Sequence, residues 1–246
     1  MFGIIPAMDK TVTLIVPVYA TSALAERLVR ALPGFRAAAE AAGWSYSGCI
    51  VVDDGSPNPR AMEEAVSQGI DCGVRLMRLG KNSGKGAAVK TGALAAGSAY
   101  VLMSDCDLSA PLSQFAALAR AAEENPAAAM VCGSRRGLKD GGGRSAARRI
   151  LSAVFAGLAR LAGTGHVRDP QCGFKLFRMD AMRPVFEALR TERFAFDVEL
   201  IRRARKAKLQ VVEVPVEWHG GNRSTLHVPR DGARMLYDLA RIALMR

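Results

Sequence analysis

Short β-branched, apolar runs alternate with longer helical stretches through the first half of this chain, and that alternation limits its fold more than any other feature. Val12-Thr13-Leu14-Ile15-Val16, Cys49-Ile50-Val51-Val52, Val74-Arg75-Leu76-Met77, Ala99-Tyr100-Val101-Leu102-Met103 and Ala128-Ala129-Met130-Val131-Cys132 read as buried strands. Between them lie helical stretches: Ser22 to about Ala42, Asn58–Gln68, Gly86–Ala96 and Pro111–Glu124. Pro33-Gly34 is expected to break or kink the first of these. Strands joined by helices need crossover connections. The expected fold is therefore α/β and Rossmann-like, with a mainly parallel central sheet covered by helices on both faces.

The second half is less regular. Gly133 to Arg149 is a loop dense in glycine and arginine, and Ile150–Leu161 reads as a helix with few polar positions. A short strand near Phe174–Phe177, helices near Ala181–Leu189 and Asp197–Ala207, and a strand Gln210–Val214 follow. Asp231–Arg246 spaces Met235, Leu236, Leu239 and Ile242 at helical intervals among arginines, a pattern that suits a membrane interface or packing onto its own domain. The 246 residues are expected to form one domain, with a first half over about 10–134 and a second over about 135–246.

Charge separates the halves. Residues 1–134 carry 11 Lys and Arg against 12 Asp and Glu, and residues 135–246 carry 23 against 11, so the whole excess of +11 lies in the second half. Such asymmetry points to an anionic partner: nucleic acid, an anionic membrane surface or a phosphorylated substrate. Aromatics make up 6% of the chain and form no stacking motif, which counts against nucleic acid. The longest uncharged run, Thr11–Ala25, is too short to span a bilayer, and residues 1–9 have no basic leader, so a cytoplasmic location is expected. Five scattered cysteines without a Cys-x-x-Cys pair argue against a disulfide framework or a zinc cage.

Ligands of open parallel sheets bind beyond the carboxyl ends of the strands. Two acidic pairs stand at such ends, Asp53-Asp54 before Gly55-Ser56 and Asp105-Cys106-Asp107. The second pair suits a divalent cation, because Mg²⁺ commonly takes one or two carboxylates and completes its shell with water and phosphate oxygens. A solvated acidic turn is the plain alternative. Cys106 belongs to this cofactor-binding turn, but it is too soft for Mg²⁺ and is expected to point away. The turn Gly80–Gly86 lacks the spacing of a phosphate loop, and no Gly-x-Gly-x-x-Gly follows a strand. What remains is Lys85 at a helix N-terminus, a position that favours anions.

These motifs, with Gly133-Ser134-Arg135-Arg136, Asp169-Pro170-Gln171-Cys172-Gly173-Phe174-Lys175, Phe196-Asp197-Val198-Glu199-Leu200 and Glu213-Val214-Pro215-Val216-Glu217-Trp218, resemble the family 2 glycosyltransferases of GT-A fold. The resemblance is strongest to the polyprenyl-phosphate sugar synthases of dolichyl-phosphate β-glucosyltransferase type, and it runs in register from about Val12 to Ser224. It implies that Pro17, Tyr19, Asp53 and Asp54 hold the nucleotide and that Lys85 lies beside the nucleotide or its phosphates. It further implies that Asp105 and Asp107 bind Mg²⁺ or Mn²⁺, that Arg135 meets phosphate, and that Gln171 lines the sugar or acceptor pocket. Asp107, Arg135 and Gln171 are the catalytic candidates. The implied reaction is inverting transfer of a hexose to a polyprenyl phosphate on the cytoplasmic face of a membrane, from UDP-glucose or GDP-mannose.

Transfer to a hydroxyl acceptor is the competing reaction, and it needs a general base, for which Asp169 and Asp197 are the candidates. Arginine suits a phosphate acceptor because its fork grips two oxygens at once, and Arg136, Arg144, Arg148 and Arg149 join Arg135 as candidates. The sequence departs from the family pattern at Ala20-Thr21, where Asn-Glu is usual, and at Gly221-Asn222-Arg223-Ser224-Thr225, where Gly-x-Ser-Lys is usual. Many relatives carry two C-terminal transmembrane helices, and no such run occurs up to Arg246.

Overall fold

The structure, a computed structural model, describes residues 8–135, 155, 157–219 and 228–245. Its strands are β1 (Thr11–Val18), β2 (Ser45–Asp53), β3 (Val74–Arg78), β4 (Tyr100–Ser104), β5 (Ala128–Ser134), β6 (Phe174–Arg178) and β7 (Gln210–Pro215). The helices are α1 (Ser22–Ala41), α2 (Pro59–Ser67), α3 (Lys85–Ala95), α4 (Phe115–Glu124), α5 (Met179–Glu187), α6 (Phe196–Lys206) and α7 (Val228–Leu244). The seven strands form one sheet in the order β3-β2-β1-β4-β6-β5-β7. β6 runs antiparallel to both β4 and β5, and the other pairs are parallel.

That reversed strand decides where the site lies. In a parallel pair the carboxyl ends coincide, so the residues that follow β1, β2 and β4 emerge at one edge. Because β6 enters the sheet from that same edge, with Phe174 opposite Ser104, the loop preceding it meets the turn that follows β4.

Two layers of apolar side chains cover the sheet. On one face Leu14, Val16, Val51 and Leu102 pack against Leu28, Leu32 and Phe35 of α1 and Phe115 and Leu118 of α4. There Phe35, Trp44, Tyr100 and Phe115 stack edge to face. On the other face Ile15, Val52, Val101 and Met103 meet Val89 of α3, Phe186 of α5 and Phe196, Leu200 and Ile201 of α6. A smaller cluster joins Leu239 and Ile242 of α7 to Ala159, Ala162, Ala195 and Val198. The apolar stripe of the C-terminal helix thus packs onto its own domain through these residues, while Leu236, Tyr237 and Leu244 stay exposed.

Three expectations need correction. Pro33 does not end α1, which continues from Ser22 to Ala41. A proline in a helix interior costs about 3 kcal/mol. Burial of Leu28, Leu32 and Phe35 contributes roughly 1.5–3 kcal/mol each and outweighs it. The apolar helix expected over Ile150–Leu161 is helical at 155 and 157–159, with 150–154 and 156 outside the described residues, and gives way at Arg160–Thr164 to a π-helical turn. There Gly163 leaves the helix at φ 105° and Arg202 donates to the Ala162 carbonyl. β2 begins at Ser45, four residues before its apolar run, because β1 pairs with it from Thr11 onward. Arg136, Arg144, Arg148, Arg149 and the segment Gly221–Thr225 lie outside the described residues.

Candidate functional site

The floor of the site is built by the first acidic pair. Asp53 is fully buried; its Oδ1 accepts from the Ser56 amide (2.9 Å) and hydroxyl (2.5 Å), and its Oδ2 accepts from Arg78 (3.0 Å). Asp54 accepts from the amides of Ser83 (2.7 Å) and Gly84 (2.8 Å). Asp54 therefore ties the end of β2 to the turn that opens α3, while Asp53 ties it to Ser56 and to the end of β3. Gly55, at φ 70°, lets the two segments meet: a Cβ there would fall 2.4 Å from the Lys81 carbonyl carbon. Ser56 also accepts from the Ala20 amide (2.8 Å), which fixes the chain after β1 with Ala20 at φ 53°. Pro17 is half-buried on β1 and Tyr19 is exposed at the mouth.

The second acidic pair forms the working edge. Asp105 follows β4, and its amide donates to the Gly173 carbonyl (3.1 Å). The Leu108 amide closes the turn onto the Asp105 carbonyl (3.1 Å) with Leu108 held at φ 51°. Such a strained turn persists only where its surroundings hold it. Asp107 is exposed and takes a hydrogen bond from the Ser109 amide (2.9 Å). Cys106 is buried against the core, and burial pushes its thiol up to about 12, so it points away from the cleft.

Lys85, the first residue of α3, reaches Asp105 Oδ1 at 2.6 Å. Burial pulls its ammonium down, but Asp105 and Asp197 outweigh that and raise its pKa. Beneath it lies a buried ion pair, Lys175 Nζ to Asp197 Oδ1 at 2.7 Å, with Lys175 also donating to the Cys172 carbonyl. Alternating ammonium and carboxylate groups thus lead from the core to the Asp105 corner.

Arg135 lies beyond β5. It donates from Nε to Asp169 Oδ2 (2.7 Å) and from NH2 to Oδ1 (2.6 Å), and stacks over Trp218 at 5.1 Å. Burial pushes the Asp169 carboxyl up, but the bonds and charge of Arg135 prevail and hold it below the ordinary carboxylate range. This pair occupies the Nε–NH2 edge of the guanidinium, and NH1 makes no bond to Asp169. Gln171, half-buried, sits between Asp169 and Gly173 in the loop shared by both corners.

Divalent metal is testable on these residues. Among the described residues no three His, Cys, Asp or Glu side chains converge as a cage. Asp105 and Asp107 nevertheless present hard oxygen donors, and Gly173 leaves space that a side chain would fill, since a Cβ there would fall 2.0 Å from Asp105 Oδ2. A two-carboxylate corner fits Mg²⁺ or Mn²⁺ whose shell is completed by diphosphate and water.

The sequence reading missed Ser56 and Arg78 behind Asp53, Trp218 under Arg135, and the Lys175–Asp197 pair. Ser56, Lys175, Asp197 and Trp218 stand inside motifs that it had quoted. Arg78, at the end of β3, carried no signal, because only the parallel pairing with β2 puts it opposite Asp53.

Three kinds of similarity bear on this arrangement. The model of glycosyl transferase family 2 matches residues 13–186. A dolichyl-phosphate beta-glucosyltransferase of Dictyostelium discoideum is 34% identical over 201 residues, covering 78% of this chain and 61% of that one. The human dolichyl-phosphate beta-glucosyltransferase is 35% identical over 178 residues, covering 69% and 55%. The chain thus spans about 61% of the first relative's length. Among solved structures, glucosyl-3-phosphoglycerate synthase from Mycobacterium tuberculosis in complex with Mn²⁺, UDP-glucose and phosphoglyceric acid superposes with a TM-score of 0.68 at 18% identity, covering 96% of this chain and 79% of that one. Mannosyl-3-phosphoglycerate synthase from Rubrobacter xylanophilus gives 0.63 at 18% identity, covering 95% and 72%. At such identities the structural likeness speaks to the fold.

Proposed function

The chain belongs to glycosyltransferase family 2, and from that premise we propose that it moves glucose from UDP-glucose to a polyprenyl phosphate such as dolichyl phosphate. The observation that carries this reading is the corner formed by Asp105, Asp107, Lys85 and Gly173, where a lysine at a helix N-terminus stands beside two carboxylates. The sequence relatives act as dolichyl-phosphate β-glucosyltransferases, and the structural neighbour holds UDP-glucose with Mn²⁺.

Each residue has a task in this reaction. Pro17 and Tyr19 border the nucleotide, while Asp53 and Asp54 keep the β2 and α3 turns in place around it. Lys85 puts a fixed positive charge beside the diphosphate, at the N-terminus of α3 where the helix dipole adds to it. Asp105 and Asp107 would hold Mg²⁺ or Mn²⁺, which supplies charge stabilisation to the departing UDP. A phosphate oxygen of the acceptor attacks the anomeric carbon, the bond from that carbon to the UDP oxygen breaks with its electron pair going to UDP, and the anomeric centre inverts. A phosphomonoester is largely dianionic at neutral pH and needs no base.

That last point separates the reaction from transfer to a hydroxyl. Asp169 is engaged by Arg135, and Asp197 is buried against Lys175, so neither candidate base is available to take a proton from a substrate. Arg135 acts as a positioning residue that holds the Asp169–Gly173 loop, and through it Gln171, at the edge of the cleft. Among the described residues no helix is long and apolar enough to cross a membrane. The exposed Leu161, Leu236, Tyr237 and Leu244 and the basic second half support peripheral contact with an anionic lipid surface.

Incubation with Mn²⁺ or Mg²⁺, labelled UDP-glucose and a polyprenyl phosphate should place label in the organic phase, and Asp107→Ala should reduce it at least about a hundredfold. Label confined to water-soluble product, or faster transfer from GDP-mannose, would contradict the assignment.

A further inference from the structure

An open cleft of about 380 Å³ lies between the loop before α6, which packs against the α3 turn, and α7. Four arginines line it, Arg190 and Arg193 from the loop before α6 and Arg234 and Arg241 from α7, together with two carboxylates, Glu192 and Asp238; Asp54 and Glu199 lie within electrostatic reach of the same groups. Crowding four guanidinium groups around one space costs repulsion that a bound anion relieves. Among the described residues the side chains of Arg190, Arg193 and Arg234 make no hydrogen bond or ion pair. Arg241 donates from NH2 to Thr191 Oγ1 (2.9 Å), stands 3.7 Å from Asp238, and keeps its buried Nε without a partner.

The walls are fixed before any ligand arrives. Thr191 donates to Glu199 through both its amide (2.8 Å) and its hydroxyl (2.5 Å), and the Arg190 amide donates to the same carboxylate (3.0 Å). The backbone at 191–192 also seats against the first turn of α3: the Ala87 amide donates to the Glu192 carbonyl (3.0 Å), and side chains at Gly84 or Gly86 would collide with that loop. Lys85, between those glycines, is paired with Asp105.

We propose that this cleft is a second anion site, which takes a phosphate group through Arg190, Arg193 and Arg234, apart from the corner that holds the donor. The four arginines less two carboxylates leave a charge of +2, the complement of a phosphomonoester dianion. Arginine forks suit phosphate oxygens, and two donors per guanidinium fix its orientation. The phosphate comes either from a free solute or from a lipid headgroup.

The test is a binding measurement without donor or metal, so that loss of transferase activity and loss of this site are told apart. Inorganic phosphate is titrated calorimetrically, and vesicles of phosphatidylcholine with and without phosphatidic acid are used in flotation. The probes are applied to the wild type, to Arg190→Ala/Arg234→Ala, and to Arg27→Ala/Arg60→Ala, which removes equal charge elsewhere. The thermal midpoint checks that each variant folds, and Arg234→Lys keeps the charge without the fork. The first variant should weaken phosphate binding at least about tenfold while the control stays within about twofold. Loss of free phosphate binding alone identifies a solute site, and loss of phosphatidic acid binding alone identifies a lipid headgroup site. Absence of binding of either probe by the wild type, or equal loss in both double variants, overturns the proposal.

Discussion

Gly173 shows how much a single missing side chain can decide. Its backbone conformation is open to any residue, yet a Cβ there would fall 2.0 Å from Asp105 Oδ2, so the glycine is required by the carboxylate and not by the chain. Gly173→Ala should leave the thermal midpoint nearly unchanged, because the obstacle is the end of a movable side chain, and should weaken Mn²⁺ binding about tenfold, as displacement of a group supporting a metal ligand does. Calorimetry checks both. Asp169 carries a pH signature. Its carboxyl titrates below its unfolded value, so its contribution is present above the unfolded pKa and is lost as pH falls through the folded one. Stability of the wild type should therefore drop below about pH 4. Asp169→Asn should cost about 3 kcal/mol at neutral pH, since it leaves Arg135 buried and unpaired, and should flatten that acid limb in urea titrations. Asp105-Cys106-Asp107 was legible because three apolar residues deliver it to a strand end. The partner of Arg135 was not, because Asp169 is 34 residues away and no pattern in either segment marks the meeting.

At the scale of elements, the parallel strands were legible from their buried β-branched runs, and the helices between them from composition. β6 was found as a strand, but its direction could not be read, because a strand of five residues fits either orientation. Its reversal brings Gly173 to Asp105. The C-terminal helix had two readings with one stripe, and the structure divides that stripe: Leu239 and Ile242 go inward, Leu236 and Tyr237 outward. Ile242→Ala should cost about 2 kcal/mol, the low end for a buried aliphatic residue, since its cluster is small and sits at the rim. Chemical denaturation measures it, and a change under about 0.5 kcal/mol would mean that α7 does not dock there in solution.

Across the whole molecule, charge, sheet order and reaction fit one plan. Under the proposed function, the nearly neutral first half would supply most of the nucleotide corner and the basic second half would meet phosphate. Between them a ladder of buried charges runs from Lys175 and Asp197 to Lys85 and Asp105, which lets the corner stay rigid while its charge is balanced within the fold. The central claim is that Asp105 and Asp107 bind a nucleotide diphosphate through a divalent ion. Calorimetric titration of UDP into the protein with and without Mn²⁺ tests it most directly, with Asp107→Ala alongside. Mn²⁺ should tighten UDP binding at least about tenfold in the wild type and by less than about twofold in the variant. Equal affinities in all four titrations would contradict it.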